Sequence, residues 1–352
     1  MKKNFLLLIF LSVLLTQRVL ATETINLDDF SYTEDQAALA EEVIKILEEG
    51  HFLKKKFNSI QVEAFDLYLE RLDPNKNIFL SSELIQYKEA INNKNDIRDN
   101  LKVTYEAFKI YGKRYQNRYD LQLKFLNDIS EQDLKSSKRI IRDRSKAERL
   151  ELIEDLEDSW KDLIINDVIQ LMLSGNSIEE SAEKTIKRLE NQLNYFNQTR
   201  NEDVFNIYIN SISSIYGPHT TYMSPKNSED FDINMSLSLE GIGALLSVDG
   251  PYTSISSLIP GGPAEKSGLL KPKDKIIGVG QEDNGEIIDV VGWRLDDVVE
   301  LIRGPKNSKV RLEIIPGTSL DDSNTKEIQI IRNLVKLEDQ AAEKKIINIE
   351  RD

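Results

Sequence analysis

Apolar residues in the first two thirds of the chain recur every three or four positions, which is the period of an amphipathic helix. The pattern extends from residue 22 to about residue 228 and predicts an all-helical region. We interpret the charged positions between the apolar ones as solvated helix faces. The clearest apolar stripe comprises Leu152, Leu156, Trp160, Leu163 and Ile164.

Local signals predict several helix ends. Thr33 and Gln36 have the spacing of a capping box that opens a helix, and so do Ser177 and Glu180. Asp73-Pro74-Asn75 should end the second helix, because proline disfavours helical continuation.

Two longer stretches are predicted from composition. The highly charged chain from Ile97 to Leu173 is expected to be helical, with one break near Ser130. The segment from Tyr216 to Pro225 contains two prolines and a glycine, so we expect a non-helical linker. The dozen residues after it are polar and are expected to lead directly into a strand.

The pattern changes to short apolar runs separated by turn residues after the linker. It predicts an α+β module that contains strands at Leu239–Val248, Tyr252–Ile259, Ile276–Val279, Val310–Ile315 and Glu327–Ile331, and helices from Pro263 to Ser267 and from Leu295 to Ile302.

The start of the first strand carries the segment Gly241-Ile242-Gly243-Ala244. Two glycines around one aliphatic residue are typical of a loop whose backbone N–H groups can approach an anion. A peptide's terminal carboxylate is such an anion, and an adjacent strand could hold the rest of the peptide by strand addition.

The N-terminus has the pattern of a secretory signal peptide. Lys2 and Lys3 precede an apolar run from Phe5 to Leu15, and cleavage is expected after Ala21. The alternative is a membrane anchor, but the run is shorter than the roughly 20 residues that a span needs. We therefore expect export into a bacterial periplasm, with no stable anchor after cleavage.

Composition excludes several classes of site. The formal net charge is −14, so nucleic acid is not an expected partner. The chain has no cysteine, which excludes disulfides, thiolate zinc sites and a cysteine nucleophile. Its two histidines are too few for a three-histidine zinc site, and no metal or cofactor is expected.

The order of motifs in the module resembles a PDZ domain, in particular that of bacterial tail-specific, or carboxy-terminal processing, serine proteases. The resemblance rests on "PGGPAEKSGL", "GWRLDDVVELIRGPKNSKVRLEIIP" and the exit segment "VKLEDQAA". Upstream, "RLDPNKNIFL" and "GPHTTYMSP" resemble the family's helical domain. Gly217 departs from that family's D-P-H-T-x-Y pattern, where an aspartate stands.

The resemblance implies a multidomain α+β chain. It comprises the signal peptide (1–21), the helical domain (22–228), a PDZ β-barrel or sandwich (229–335) and the start of a protease core (336–352).

The resemblance also implies a peptide-binding groove for nonpolar C-terminal tails. The N–H groups around Gly241, Ile242 and Gly243 should hold the terminal carboxylate. The strand side of the groove is expected to comprise Ile242, Ala244 and Leu246, and the helix side to comprise Leu295, Val299 and Ile302. The helix-side residues share one helical face at i, i+4 and i+7. The alternative is that these six are ordinary core residues.

The family cuts peptide bonds with a serine–lysine pair in a core that follows the PDZ domain. This chain stops at Asp352, shortly after that core should begin, so we expect no catalytic residue in it and no activity from it alone. The alternative function is a non-catalytic exported PDZ protein that captures tails. An adaptor, if there is one, is not identified by the sequence.

Two short motifs favour a structural rather than a catalytic interpretation. Ser323 and Lys326 have the S-x-x-K spacing of some nucleophile–base pairs, but they fall in a predicted polar loop without oxyanion donors. His219 in the linker is expected to make a structural hydrogen bond at the domain junction rather than to act as an acid or base.

Overall fold

The computed structural model describes residues 25–93, 96–135, 139–319 and 324–336. The predicted signal peptide lies outside these ranges, as does nearly all of the predicted protease-core segment.

The first part of the chain is helical, as predicted. After a short 3-10 turn at Leu27–Asp29, it contains the helices α1 Glu34–Gly50, α2 Phe57–Leu72, α3 Ser81–Asn92, α4 Ile97–Asn127, α5 Ile153–Leu173, α6 Ile178–Asn197, α7 Asn201–Tyr216 and α8 Pro225–Ser236. Both predicted capping boxes are present, at Thr33 with Gln36 and at Ser177 with Glu180.

The helices pack around one large aromatic-rich core. Tyr68 of α2, Phe108 of α4 and Tyr208 of α7 are buried in it. A smaller core joins α4, α5 and α6 through residues that include Ile164 and Leu189. These two clusters account for the helical periodicity in the sequence.

A buried ion pair fixes the loop that follows α2. The Asp73 carboxylate accepts hydrogen bonds from the N–H groups of Asn77 (2.8 Å), Ile78 (3.1 Å) and Phe79 (3.1 Å). It also pairs with the guanidinium of Arg149, whose side chain is 7% exposed. The pair therefore ties this loop to the segment before α5.

The predicted break near Ser130 proves much longer than expected. No helix forms in the described residues between α4 and α5, and Leu152, expected on a helical stripe, precedes α5 and is 58% exposed. The physical reason is tertiary. The carbonyls of Ala147 and Leu150 accept hydrogen bonds from Lys76 and from the Ser81 N–H, so this stretch covers the loop after α2.

Helix α8 was not predicted, and the expectation of a polar segment leading straight to a strand was wrong. Ser224 caps the helix by accepting from the Asn227 N–H at 3.4 Å, and Pro225 occupies its first turn. None of its residues is buried, so it has no apolar stripe to detect. The predicted domain boundary at residues 228 and 229 falls inside this helix.

The second part of the chain is strand-rich and completes the predicted α+β fold. It comprises β1 Ser238–Gly241, β2 Ala244–Asp249, β3 Tyr252–Leu258, α9 Pro263–Ser267, β4 Lys275–Gln281, β5 Ile287–Asp289, α10 Leu295–Ile302, β6 Lys309–Ile315, β7 Lys326–Ile331 and β8 Asn333–Lys336. An antiparallel sheet has the strand order β2-β3-β4-β6-β7, with β5 paired to β4.

The strand predicted at Leu239–Val248 is in fact two strands in different sheets. β1 pairs with β8, which was not predicted, and β2 pairs with β3. The break occurs at Gly243, whose φ of +73° is incompatible with a continuous strand. The strand that enters the module thus lies beside the strand that leaves it.

Candidate peptide-binding site

The Gly241–Gly243 turn connects β1 to β2 and leaves two backbone donors unused. The carbonyl of Ile242 accepts from the Ala264 N–H at 2.8 Å, and that of Gly243 accepts from the Ile259 N–H at 2.9 Å. Neither the Ile242 nor the Gly243 N–H donates to an acceptor in the described part of the chain. The carbonyls of these two residues are thus engaged, whereas their N–H groups are available to an anion that reaches the turn.

Close packing explains why glycine stands at position 243. A Cβ there would lie 3.2 Å from the Cα of Gly262 and 3.4 Å from the Cγ atoms of Val335. The positive φ also disfavours any L-residue by about 1–2 kcal/mol. The turn is thus held between α9's N-terminal loop and β8.

Replacing Gly243 with alanine should lower the free energy of unfolding by about 2–3 kcal/mol, because the left-handed strain and the contact with Gly262 add together. Urea denaturation would measure the loss. Gly250→Ala is the matched control, since Gly250 has a φ of +61° and open space around it. Equal losses in the two variants would contradict the close packing.

Strand β2 offers an edge to a ligand. Among the described strands it pairs only with β3, and α10 lies on its other side. Ala244 and Leu246 are half-buried against the core, whereas Leu245 and Val248 are exposed. An extended peptide could add to this edge through its backbone, as peptides do in strand addition.

The structure divides the predicted groove residues into two groups. Ile242 (3% exposed) and Ile302 (4% exposed) lie in the hydrophobic core, so their side chains support the site from beneath. Leu295 and Val299 are half-buried on the outer face of α10. Contact of these residues with a peptide stays a prediction.

Arg332 was missed by sequence reasoning, although it holds the groove helix. Its buried guanidinium donates five hydrogen bonds, two of them to the carbonyls of Leu301 and Ile302 at the C-terminal end of α10. Burial lowers the pKa of this group from its usual value. A Cβ at Gly304 would lie 3.0 Å from Cζ and Nε of this guanidinium, so a larger residue there would have to displace the Arg332 side chain.

A second feature holds α10 at its other end. Helices α7 and α10 each begin with an R-x-x-D sequence, at residues 200–203 and 294–297. The arginine of each pairs with the aspartate of the other. Arg294 Nη1 lies 2.7 Å from Asp203 Oδ2, and both Nη atoms of Arg200 bond the Asp297 carboxylate.

The crossed pairs raise the pKa of Arg294 but contribute little stability. Burial lowers the pKa of the Arg294 guanidinium, but the hydrogen bond to Asp203 and the negative charges of Asp203, Asp297 and Asp296 together raise it above its usual value. Since the four side chains are partly exposed, each pair contributes little stability by itself. The repeated R-x-x-D spacing is visible in the sequence, but it does not by itself indicate that the two helix starts meet.

The S-x-x-K motif and His219 differ in how far the structure describes them. Ser323 lies outside the described residues. His219 is exposed and makes no hydrogen bond to any described residue, and its structural role stays a prediction. Instead His51 contacts the linker, with Nε2 at 3.3 Å from Thr220 Oγ1.

A search of the described ranges finds no cluster of side chains suited to a metal ion. The same ranges contain no helix with the length and apolar character of a membrane span.

Comparison with known proteins supports the resemblance. The model of the tail-specific protease N-terminal domain matches residues 43–226, and the PDZ domain model matches residues 230–315. A tail-specific protease from Haemophilus influenzae is 36% identical over 97% of this chain and 50% of its own length. Carboxy-terminal processing protease CtpA from Bacillus subtilis is 35% identical over 40% of this chain and 28% of its own length.

Among solved structures, the PDZ domain of a carboxy-terminal protease from Vibrio cholerae, in complex with peptide, is 51% identical. The match covers 29% of this chain and 100% of the Vibrio cholerae domain, with a TM-score of 0.27. The chain spans about half the length of the Haemophilus relative.

Proposed function

Because the chain belongs to the tail-specific protease family, we propose that it is the substrate-recognising part of an exported, periplasmic C-terminal processing serine endopeptidase. In this proposal the strand-rich module selects proteins by their nonpolar C-terminal tails. The proposal rests on the free edge of β2, which lies beside a turn with unused N–H donors. Export is supported by the basic and apolar pattern before Ala21.

The recognition chemistry follows from the geometry of the turn. The terminal carboxylate of a tail would accept hydrogen bonds from the Ile242 and Gly243 N–H groups. Its last residues would extend β2 as an additional antiparallel strand, with backbone bonds that are independent of sequence. Ala244, Leu246, Leu295 and Val299 would favour apolar side chains.

The cleavage chemistry belongs to a different part of the protein. In a serine–lysine pair, a neutral lysine takes the proton of the serine hydroxyl, which then attacks the peptide carbonyl. We place that pair in the core that follows the PDZ domain in this family. The 352-residue chain is therefore expected to bind tails without cutting them.

A peptide-binding experiment tests both parts of this proposal. We expect a fluorescent 12-residue peptide with an apolar free C-terminus to bind the 352-residue chain. Amidation of its C-terminus should weaken binding by about tenfold or more, because charge-assisted hydrogen bonds to the carboxylate are lost. Fluorescence anisotropy measures the affinity, and mass spectrometry of the incubated peptide reports cleavage.

Equal affinity for the acid and the amide would refute carboxylate recognition. Cleavage by this chain would refute the assignment of the catalytic pair to the following core.

A further inference from the structure

A cavity of about 630 Å³ lies between α8 of the helical part and α10 of the strand-rich part. Its apolar lining comprises Pro225 of α8 together with Leu295 and Val299, which are the half-buried helix-side residues of the predicted groove. The facing wall is provided by α8, through residues that include Glu229 and Asp230. The outer face of α10 therefore opens toward α8.

An ion pair joins helix α8 to the end of α10. Arg303 Nη1 of α10's C-terminal end donates to Asp230 Oδ1 at 2.7 Å. The crossed R-x-x-D pairs hold the other end of α10 against α7. Since no residue of α8 is buried, its inner face is left available to a ligand rather than consumed by a core.

Acidic side chains outnumber basic ones around the cavity. Its two basic side chains both face carboxylates, because Arg303 pairs with Asp230 and Lys226 lies 4.0 Å from Asp297. Three further acids line the cavity and make no ion pair with any described residue: Glu229, Asp296 and Glu300. An apolar surface with surplus negative charge at its rim fits an apolar side chain flanked by a basic one.

We propose that α8 is the outer wall of the tail-binding site and that the cavity receives an apolar side chain of the bound tail together with a neighbouring lysine or arginine. This inference rests on the proposed function and specifies its substrate class. A tail added to β2 runs alongside α10, so side chains that point toward Leu295 and Val299 enter the cavity. Helix α8, which joins the two parts of the chain, thus takes part in choosing the substrate.

Competition between charged peptides tests the inference on the 352-residue chain. The probes are fluorescent 12-residue peptides with the same apolar free C-terminus, which carry lysine or glutamate at each of the four positions before the last residue. At one position or more, the lysine peptide should bind about three- to tenfold more tightly at low salt. The preference should shrink at high salt, because the rim is exposed to solvent.

Glu229→Lys should abolish or reverse this preference. Asp232→Lys is the matched control, because Asp232 is exposed on the same helix but does not line the cavity, and the preference should survive there. A photoreactive group at the selective position should also crosslink to residues 225–230.

The inference is overturned if lysine and glutamate peptides bind equally at all four positions, or if the two variants behave alike. Those results leave the proposed function intact as long as amidation of the C-terminus still weakens binding. If amidation has no effect, the proposed function itself fails.

Discussion

Replacing Arg332 with methionine should lower the free energy of unfolding of the strand-rich part by about 3 kcal/mol or more. The side chain is 2% exposed, and its five acceptors would lose their donor. Each buried acceptor left without a partner costs about 1–3 kcal/mol, partly offset where water reaches it. Methionine preserves much of the volume, so the loss reports hydrogen bonding rather than a cavity.

Hydrogen-exchange mass spectrometry would show where the loss acts. The guanidinium bonds the last carbonyls of α10, so exchange should accelerate in α10 and β6 and stay unchanged in α2 and α7. Tail binding should weaken in parallel, since α10 is one wall of the proposed groove. Lys306→Met is the control, because this exposed side chain lies on the adjacent turn. A uniform change across the whole chain would argue against a local role for Arg332.

Arg149→Met should lower the free energy of unfolding of the helical part by about 3–5 kcal/mol, because it leaves the Asp73 carboxylate buried without its counter-ion. The carboxylate is 1% exposed and cannot regain solvent in the folded chain. Three backbone N–H groups remain bonded to it, which keeps the loss at the lower end of that range. Thermal and urea unfolding followed by circular dichroism would measure it.

Two further variants separate the effect of the buried Asp73 charge from that of losing the Arg149 side chain. Lys88→Met removes a partly exposed pair with Asp66 and should cost less than about 1 kcal/mol. The double variant Asp73→Asn/Arg149→Met should be more stable than Arg149→Met alone, since no uncompensated charge is then buried. If the double variant is less stable instead, the carboxylate contributes mainly through its bonds to the loop rather than through the ion pair.

Local signals predicted those parts of the fold that local chemistry controls. The capping residues Thr33 and Ser177 bond their own first turns, so their sequence spacing is sufficient to locate α1 and α6. The predicted bounds of α10 match the observed helix, since an apolar face and the following Gly304-Pro305 mark it. The glycine turn was likewise visible, although its effect on strand pairing was not.

The features that the sequence did not predict lack a local signal. Helix α8 lacks a buried face, and the segment before α5 is shaped by bonds to a loop about 70 residues earlier. Arg332 resembles any surface arginine in the sequence, because its five acceptors come from three separate stretches of chain. Neither periodicity nor spacing encodes such contacts.

The sequence by itself determined most of the helices and strands, the family resemblance and the glycine turn, because each depends on residues that are neighbours along the chain. Only the tertiary structure decided that β1 pairs with β8, that Arg332 and the crossed R-x-x-D pairs hold both ends of α10, and that α8 faces Leu295 and Val299. Those contacts join residues far apart in sequence, and their geometry exists only once the chain has folded.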